Sequence, residues 1–125
     1  MEKTDLEHIL IVDDEKDICL LVRSILKRKT AAKIDVAYSV SEGKEKLHQV
    51  DYDLVFFDVR LRDGSGIDLV KEVQSEFNEP PYIAMISAYT SKIDMDLIDE
   101  LNVNEFIPKP LSSEKIINCY LAASA

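Results

Sequence analysis

Several polar side chains follow short apolar runs along this chain: Asp13, Asp14, Asp58, Ser87 and Lys109. Apolar runs of this kind are typical of strands that are covered on both faces of a parallel sheet. In such sheets the carboxyl ends of the strands share one edge, where ligands bind. We therefore expect three carboxylates, a hydroxyl and an amine to converge at one site, although they are scattered along the sequence.

The charges of these groups favour a bound metal ion. Three carboxylates placed close together repel one another, and some would take up protons unless cations compensate. Lys109 supplies one positive charge, and a divalent cation with oxygen ligands would supply the rest. Mg²⁺ fits best, because it favours one or two carboxylates together with a phosphate oxygen. The cysteines Cys19 and Cys119 and the histidines His8 and His48 are not placed as ligands of zinc.

The same group of side chains could accept a phosphoryl group. A carboxylate can act as a nucleophile and form an aspartyl phosphate, while a metal ion and an ammonium group neutralise charge on the transferring oxygens. The alternative is that Asp13, Asp14 and Asp58 are solvated turn residues. Each of them alone fits that alternative, but their joint placement at strand ends favours a site.

Apolar runs and helical periods alternate along the chain and define the fold class. Strands are predicted at residues 9–12, 33–38, 54–57, 82–86 and 105–107, each followed by an amphipathic helix. A capping box, Ser39 to Glu42, predicts the start of the second helix, and the fourth is expected over residues 91–101. These β-α units predict a single α/β domain over residues 1–125, with a parallel sheet and helices on both faces.

Composition excludes several classes of protein. The formal net charge of −9 argues against binding of DNA or RNA by this domain alone. No apolar run approaches the roughly 18 residues that cross a bilayer, and residues 1–5 lack the pattern of a signal peptide. We expect a cytoplasmic protein without a membrane partner. Cys19 and Cys119 are expected to be free buried thiols.

The motifs resemble those of response regulator receiver domains, the CheY-like superfamily of two-component signalling, from His8 to about Leu121. The resemblance rests on Val-Asp-Asp-Glu at 12–15, Asp-Val-Arg-Leu at 58–61, Asp-Gly-Ser-Gly at 63–66, Ile-Ser-Ala at 86–88 and Phe-Ile-Pro-Lys-Pro at 106–110. Each motif is weak alone, but their order and spacing are specific. The resemblance implies a doubly wound, flavodoxin-like sheet of five strands in the order 2-1-3-4-5 with five helices.

The resemblance also implies the acceptor and the metal ligands. Asp58 would be the phosphoacceptor and a ligand of Mg²⁺. Asp14 would bind the ion directly, and Asp13 would hold it mainly through water. The backbone carbonyl of Arg60 would be a further ligand.

Further residues gain roles from the same resemblance. Lys109 would pair with the phosphoryl oxygens, and Ser87 would donate a hydrogen bond to one of them. Phe106 would be the aromatic residue that turns inward on activation, coupled to Ser87. The peptide bond between Lys109 and Pro110 would be cis, which an X-Pro bond tolerates.

The partners implied are a sensor histidine kinase or a histidine phosphotransfer protein, either of which would present phosphohistidine. The output face would comprise the fourth helix, the fifth strand and the fifth helix, and it could serve a C-terminal effector domain or a homodimer. A stand-alone carrier and the regulatory half of a transcription factor share these residues, so both remain open.

Two features depart from the commonest pattern of this family. Arg62 stands where a proline is often found, so we expect a less rigid loop after the acceptor. Arg60 and Tyr89 are expected beside the site, where they would affect the lifetime of the phosphoryl group.

Three rival functions would require other residues at these positions. A phosphatase of the Asp-x-Asp type needs a second acid two residues after its nucleophile, where this chain has Arg60. A flavodoxin-like electron carrier should cradle phosphate in its first loop, which Asp13, Asp14 and Glu15 would repel. An interaction-only receiver could lose the acids or the lysine without harm, whereas this chain keeps them. The chain is therefore expected to be a phosphoacceptor signalling domain and not an enzyme, with at most slow self-catalysed phosphorylation and dephosphorylation.

Other polar residues are not expected to belong to the predicted phosphoacceptor and metal site. Asp51 and Asp53 form an Asp-x-Asp motif, but they precede their strand and should lie at the opposite edge of the sheet. His8 and His48 are not expected to carry phosphoryl groups.

Overall fold

The computed structural model describes residues 6–88 and 90–125, which form five strands and five helices in strict alternation, interrupted by one short hairpin. The strands are β1 (His8–Val12), β2 (Lys33–Ala37), β3 (Leu54–Asp58), β4 (Tyr82–Ser87) and β5 (Glu105–Pro108). The helices are α1 (Lys16–Lys27), α2 (Val40–Gln49), α3 (Gly66–Glu76), α4 (Lys92–Leu101) and α5 (Ser113–Ser124). The hairpin pairs Arg60–Leu61 with Gly64–Ser65.

The five strands form one parallel sheet in the order β2-β1-β3-β4-β5. The predicted strand order and fold class are therefore confirmed. Because the order reverses between β1 and β3, the loops that follow these two strands diverge and leave a crevice between them.

Both faces of the sheet are covered, as the continuous apolar runs predict. Phe56 and Phe57 are fully buried, yet they belong to different apolar clusters on opposite faces. One cluster receives side chains from α2, α3 and α4, and the other receives them from α1 and α5. Successive residues of a strand point to opposite faces, so a strand covered on both sides must be apolar throughout.

Three strands extend one residue beyond their apolar runs, to Asp58, Ser87 and Pro108. Sheet pairing uses backbone groups, so a polar side chain does not end it: Asp58 still pairs in register with Ile86, and Ser87 with Pro108. The sheet therefore carries Asp58 and Ser87 to its very edge.

The prediction for β2 was one residue too long, because the strand ends at Ala37 and not at Tyr38. The capping box of α2 explains the difference. Ser39 Oγ accepts a hydrogen bond from Glu42 N at 3.1 Å, as predicted, and Glu42 Oε1 accepts one from Tyr38 N at 2.8 Å. The backbone N–H of Tyr38 therefore donates to a residue of α2, and β2 ends at Ala37. Helix α4 begins at Lys92, with Ser91 as its N-cap.

Two expectations from composition can be compared with the structure. Cys19 and Cys119 are free and buried, as expected. Across residues 6–88 and 90–125, we find no helix with both the length and the apolar character that crossing a membrane requires.

Candidate phosphoacceptor and metal site

The parallel sheet brings the predicted polar residues to one edge. Asp13 and Asp14 directly follow β1, Asp58 ends β3, Ser87 ends β4, and Lys109 directly follows β5. The backbone also joins the last two strands at this point, because Lys109 N donates a hydrogen bond to Ser87 O at 2.8 Å. The edge that strand topology predicted is therefore the place where these residues lie.

The three carboxylates form a compact cluster. Asp13, Asp14 and Asp58 each offer an oxygen, and these oxygens lie within 4.8 Å of one another. Asp13 is 0% exposed and Asp58 is 5% exposed, whereas Asp14 is half-buried. Solvent therefore screens the repulsion between Asp13 and Asp58 only weakly.

Lys109 is the cation of the cluster. Its Nζ lies 3.0 Å from Asp13 Oδ2 and 3.1 Å from Asp58 Oδ2, and the side chain is 11% exposed. Glu15 Oε2 lies 3.6 Å from the same nitrogen, but its side chain is 63% exposed. The ammonium group thus bridges the two buried carboxylates and leaves Glu15 at the solvent side.

The electrostatics of the site show that one ammonium does not balance the acids. Burial, together with the negative charge of Asp58, raises the pKa of Asp13 from 3.8 to about 6 despite its bond to Glu15 N and the nearby ammonium. Burial lowers the pKa of Lys109, but its contacts with Asp13 and Asp58 outweigh that effect and hold the pKa above its ordinary 10.5. The lysine is therefore charged at neutral pH, and its positive charge does not return the pKa of Asp13 to its ordinary value.

These groups fit a hard divalent cation. Asp13 Oδ2 is buried and, among the described residues, has no hydrogen-bond donor besides the Lys109 ammonium. Three carboxylates with converging oxygens match the oxygen ligands that Mg²⁺ prefers. A bound divalent ion would also remove the burial penalty that raises the pKa of Asp13.

Backbone groups orient both buried acids. Asp13 Oδ1 accepts a hydrogen bond from Glu15 N at 2.8 Å, and Asp58 Oδ1 accepts one from Arg60 N at 3.2 Å. Cys19 Sγ donates to the backbone oxygen of Asp13 at 3.3 Å. Burial raises the pKa of this thiol to about 12, so Cys19 remains a neutral donor.

The structure adds residues that the sequence did not single out. Glu15 completes the contacts of Lys109, and its only sequence signal was its place beside the acidic pair. Gly66 lies so close to the acceptor that a Cβ there would stand 2.1 Å from the backbone oxygen of Asp58. Gly66 N also donates to Val59 O at 2.9 Å. Only glycine permits this approach of α3 to the end of β3.

Three further predicted site residues lie on β4, on β5 and in the hairpin. Ser87 is 3% exposed at the end of β4. Phe106 is half-buried on β5, pairs in register with Met85, and packs against the cluster of α2, α3 and α4. Arg60 is exposed. The Lys109–Pro110 peptide bond is cis, as predicted, and Tyr89 lies outside the described residues.

The motifs set aside in the sequence lie elsewhere. Asp53 N donates to the backbone oxygen of His8 at 2.9 Å, which places the Asp-x-Asp motif beside the start of β1, at the opposite edge. His48 pairs with Glu72 on α3 at 2.7 Å, a contact that the sequence did not predict. Neither feature contributes to the acidic cluster.

Comparison with known proteins settles the family of this chain. The family model described as the response regulator receiver domain matches residues 9–120. The chain belongs to this family of receiver domains. Receivers are the signalling domains of two-component response regulators and not classical enzymes. They bind Mg²⁺ at an acidic pocket, and Asp13, Asp14 and Asp58 form such a pocket here.

Individual relatives agree with the family match. The receiver is 39% identical over 107 residues to the response regulator protein PilR of Pseudomonas aeruginosa, covering 84% of this chain and 23% of PilR. It is similar to the receiver domain of NtrX from Brucella abortus, with 27% identity, a TM-score of 0.81 and coverage of 93% and 97% of the two chains. A receiver domain from Methanospirillum hungatei shares the fold at 24% identity, with a TM-score of 0.85 and coverage of 96% and 97%.

Proposed function

We propose that this receiver accepts a phosphoryl group on Asp58 from a phosphohistidine donor, in a reaction that depends on Mg²⁺. The observation that carries the proposal is the placement of Asp58: its carboxylate ends a buried strand within a cluster of three acids and contacts an ammonium group at 3.1 Å. The donor would be a sensor histidine kinase or a histidine phosphotransfer protein.

The transfer is a substitution at phosphorus. An oxygen of Asp58 attacks the phosphorus atom and forms the O–P bond of an aspartyl phosphate, while the P–N bond to the donor imidazole breaks and its electron pair stays on that nitrogen. Lys109 Nζ lies 3.1 Å from Asp58 Oδ2, and it would neutralise charge on the phosphoryl oxygens. Ser87 would donate a hydrogen bond to one of them.

The metal ion would be held by Asp13, Asp14, Asp58 and the backbone carbonyl of Arg60. When bound, it supplies positive charge to the oxygens of the transferring group. The converging oxygens of the acids support this assignment. The backbone bonds that Asp13 and Asp58 accept hold their carboxylates in place before the ion arrives.

Phosphorylation would act as a switch between two packings. Ser87 would move toward the new phosphoryl group, and Phe106, which is half-buried on the neighbouring strand β5, would turn inward. The face formed by α4, β5 and α5 would then shift as the output surface, which is a change of population biased by new charge-assisted hydrogen bonds. Residues 1–125 would act together as one receiver, serving an effector domain or a homodimer through this face.

The residues of the site do not match a phosphatase or an interaction-only receiver. Arg60 is exposed and contributes a backbone donor to Asp58, so it does not serve as the second acid of an Asp-x-Asp phosphatase. We propose slow self-catalysed transfer and hydrolysis at most, without turnover of phosphomonoesters. An interaction-only receiver would have no use for a lysine buried between two acids.

The test is intact-mass measurement after incubation with acetyl phosphate, with and without Mg²⁺. We expect a gain of one phosphoryl group that needs the metal ion and disappears in Asp58→Asn. Asp99→Asn, which changes an exposed acid on α4, is the control and should be phosphorylated like the wild type. A folded wild-type protein that gains no mass and binds no beryllofluoride would support the interaction-only alternative.

A further inference from the structure

The side chain of Asp63 joins the hairpin after the acceptor to the start of α2. Its Oδ1 accepts a hydrogen bond from Val40 N at 2.7 Å, and its Oδ2 accepts one from Ser41 N at 3.1 Å. Ser39 Oγ accepts the next one, from Glu42 N, at 3.1 Å. The first N–H groups of a helix have no partner within the helix. In α2 a residue from another element satisfies two of them.

The hairpin leads directly from this contact to the acceptor. Arg60 pairs with Ser65, and Leu61 with Gly64, so the two arms move together. The arm that contains Arg60 begins beside Asp58, whose Oδ1 accepts the Arg60 backbone N–H. A displacement of the hairpin would therefore displace both the Arg60 backbone and the acceptor carboxylate.

Apolar packing joins the same two elements. A Cβ on Gly64 would lie 3.2 Å from Val40 Cγ2, so the backbone of the hairpin rests against the first turn of α2. Leu61 is 9% exposed and belongs to the same apolar cluster as Val40. Arg62, at the exposed turn of the hairpin, has no proline ring to restrict its backbone.

We propose that Asp63 is a positioning residue: by fastening the hairpin to α2, it fixes the Arg60 carbonyl and the Asp58 carboxylate for the metal ion. Asp63 itself touches neither the ion nor the phosphoryl group. The proposal rests on the proposed function, since it concerns the same site. The contact of Asp63 with α2 would restrict the hairpin, whose turn has Arg62 where a proline is often found.

The test compares two variants that weaken the same helix terminus. Asp63→Ala removes the connection to the hairpin, whereas Ser39→Ala removes a cap of α2 and leaves that connection intact. We expect Asp63→Ala to raise the Kd for Mg²⁺ about tenfold, as measured by NMR titration. This is the smallest effect that is usual for residues that support metal ligands. Ser39→Ala should retain the wild-type Kd.

Hydrogen exchange without metal provides a second readout. The backbone N–H of Arg60 donates to Asp58 Oδ1, and that of Gly66 donates to Val59 O. Both amides should exchange faster in Asp63→Ala, and their exchange rates should not change in Ser39→Ala. If Asp63→Ala does not fold, Asp63→Asn replaces it; it keeps one acceptor oxygen and should raise the Kd to a smaller extent.

The results distinguish positioning from a purely structural role. A folded Asp63 variant with the wild-type Kd and exchange rates would overturn the proposal. So would an equal rise in Kd in Ser39→Ala, because the effect would then belong to the stability of α2. If the wild type binds Mg²⁺ but takes no phosphoryl group, the proposed function fails, while the Kd values still decide the role of Asp63.

Discussion

At the scale of single residues, the site holds more negative charge than its surroundings favour. Asp13 is fully buried, and burial together with the charge of Asp58 raises its pKa to about 6. The carboxyl group of Asp13 is ionised at pH 7, although its burial favours the neutral form. Its ionisation therefore lowers the stability of the folded protein. This cost is what a bound divalent ion would relieve.

Replacing Asp13 by asparagine should therefore stabilise the metal-free protein. The pKa of Asp13 is higher in the folded chain than in the unfolded chain, so its ionisation lowers the free energy of unfolding as pH rises from about 4 to about 6. At pH 7 we expect Asp13→Asn to raise the free energy of unfolding by on the order of 1 to 2 kcal/mol. Urea unfolding followed by circular dichroism measures it.

The same experiment at lower pH provides the check. Wild-type Asp13 becomes protonated below pH 6, so the advantage of Asp13→Asn should shrink between pH 7 and pH 5. An advantage that stays constant over this range would contradict the electrostatic explanation.

Gly66 restricts the acceptor because its Cα lies close to the backbone of Asp58. A methyl group there would collide with the backbone oxygen of Asp58, which cannot move without moving the acceptor. Gly66→Ala should lower the free energy of unfolding by about 2 kcal/mol or more, and it should slow phosphorylation by acetyl phosphate. Thermal unfolding and intact-mass time courses measure the two effects.

Gly43 is the matched control, because it lies within α2 and the three atoms nearest to an added methyl belong to side chains, two to Leu69 at 3.2 Å and one to Val12 at 3.3 Å. Gly43→Ala gains helix propensity, which offsets this crowding, and should change stability by less than about 1 kcal/mol. If the two alanine variants behave alike, the close approach at Gly66 does not constrain the acceptor.

At the level of helices and strands, the first turns of α1, α2 and α3 are held by different partners. Helix α1 lacks a side-chain cap; its N-cap residue, Glu15, faces Lys109 and donates its backbone N–H to Asp13. Helix α3 is capped by its own Ser65. Helix α2 receives Asp63 from the hairpin. Helix α1 therefore contacts the site directly, and α2 contacts the hairpin that follows the acceptor.

The contact of Asp63 predicts a dependence of stability on pH. Hydrogen bonds from Val40 N and Ser41 N lower the pKa of Asp63 from its ordinary 3.8. A lowered pKa gives a contribution to stability that is present above pH 4 or so and is lost as pH falls through the folded value. Asp63→Asn should therefore melt below the wild type at pH 7.

Melting temperatures recorded from pH 7 down to pH 3 test this expectation. The gap between wild type and Asp63→Asn should narrow only below about pH 4, where the wild-type carboxylate begins to lose its charge. A gap that is already closed at pH 5 would show that the charge of Asp63 does not stabilise α2.

At the scale of the whole molecule, a net charge of −9 surrounds a site that concentrates three carboxylates. Any salt should screen the general repulsion, but only an ion that binds the site adds stability by mass action. At equal ionic strength, MgCl₂ should therefore raise the melting temperature more than NaCl does. Asp58→Asn should reduce this difference, and an equal response to the two salts in the wild type would contradict a specific metal site.

The order of apolar runs and polar residues along the chain was enough to predict the sheet, its covered faces and most of the residues at its edge. Apolar runs specify buried strands locally, and parallel winding then requires that Asp13, Asp58, Ser87 and Lys109 meet. The family match and the strand order agree with that reasoning. Local pattern was sufficient because each of these residues is placed by the strand that it ends.

The contacts that support the site depend on how separate elements pack together. Asp63 accepts a hydrogen bond from Val40, which is 23 positions away in the sequence. Gly66 lies so close to Asp58 that a methyl group at this position would collide with the Asp58 backbone oxygen. The sequence contains the Asp-Gly-Ser-Gly motif at 63–66, but it showed neither the hairpin nor its attachment to α2. Those contacts depend on the angles and distances at which separate elements pack, and no local periodicity encodes these distances.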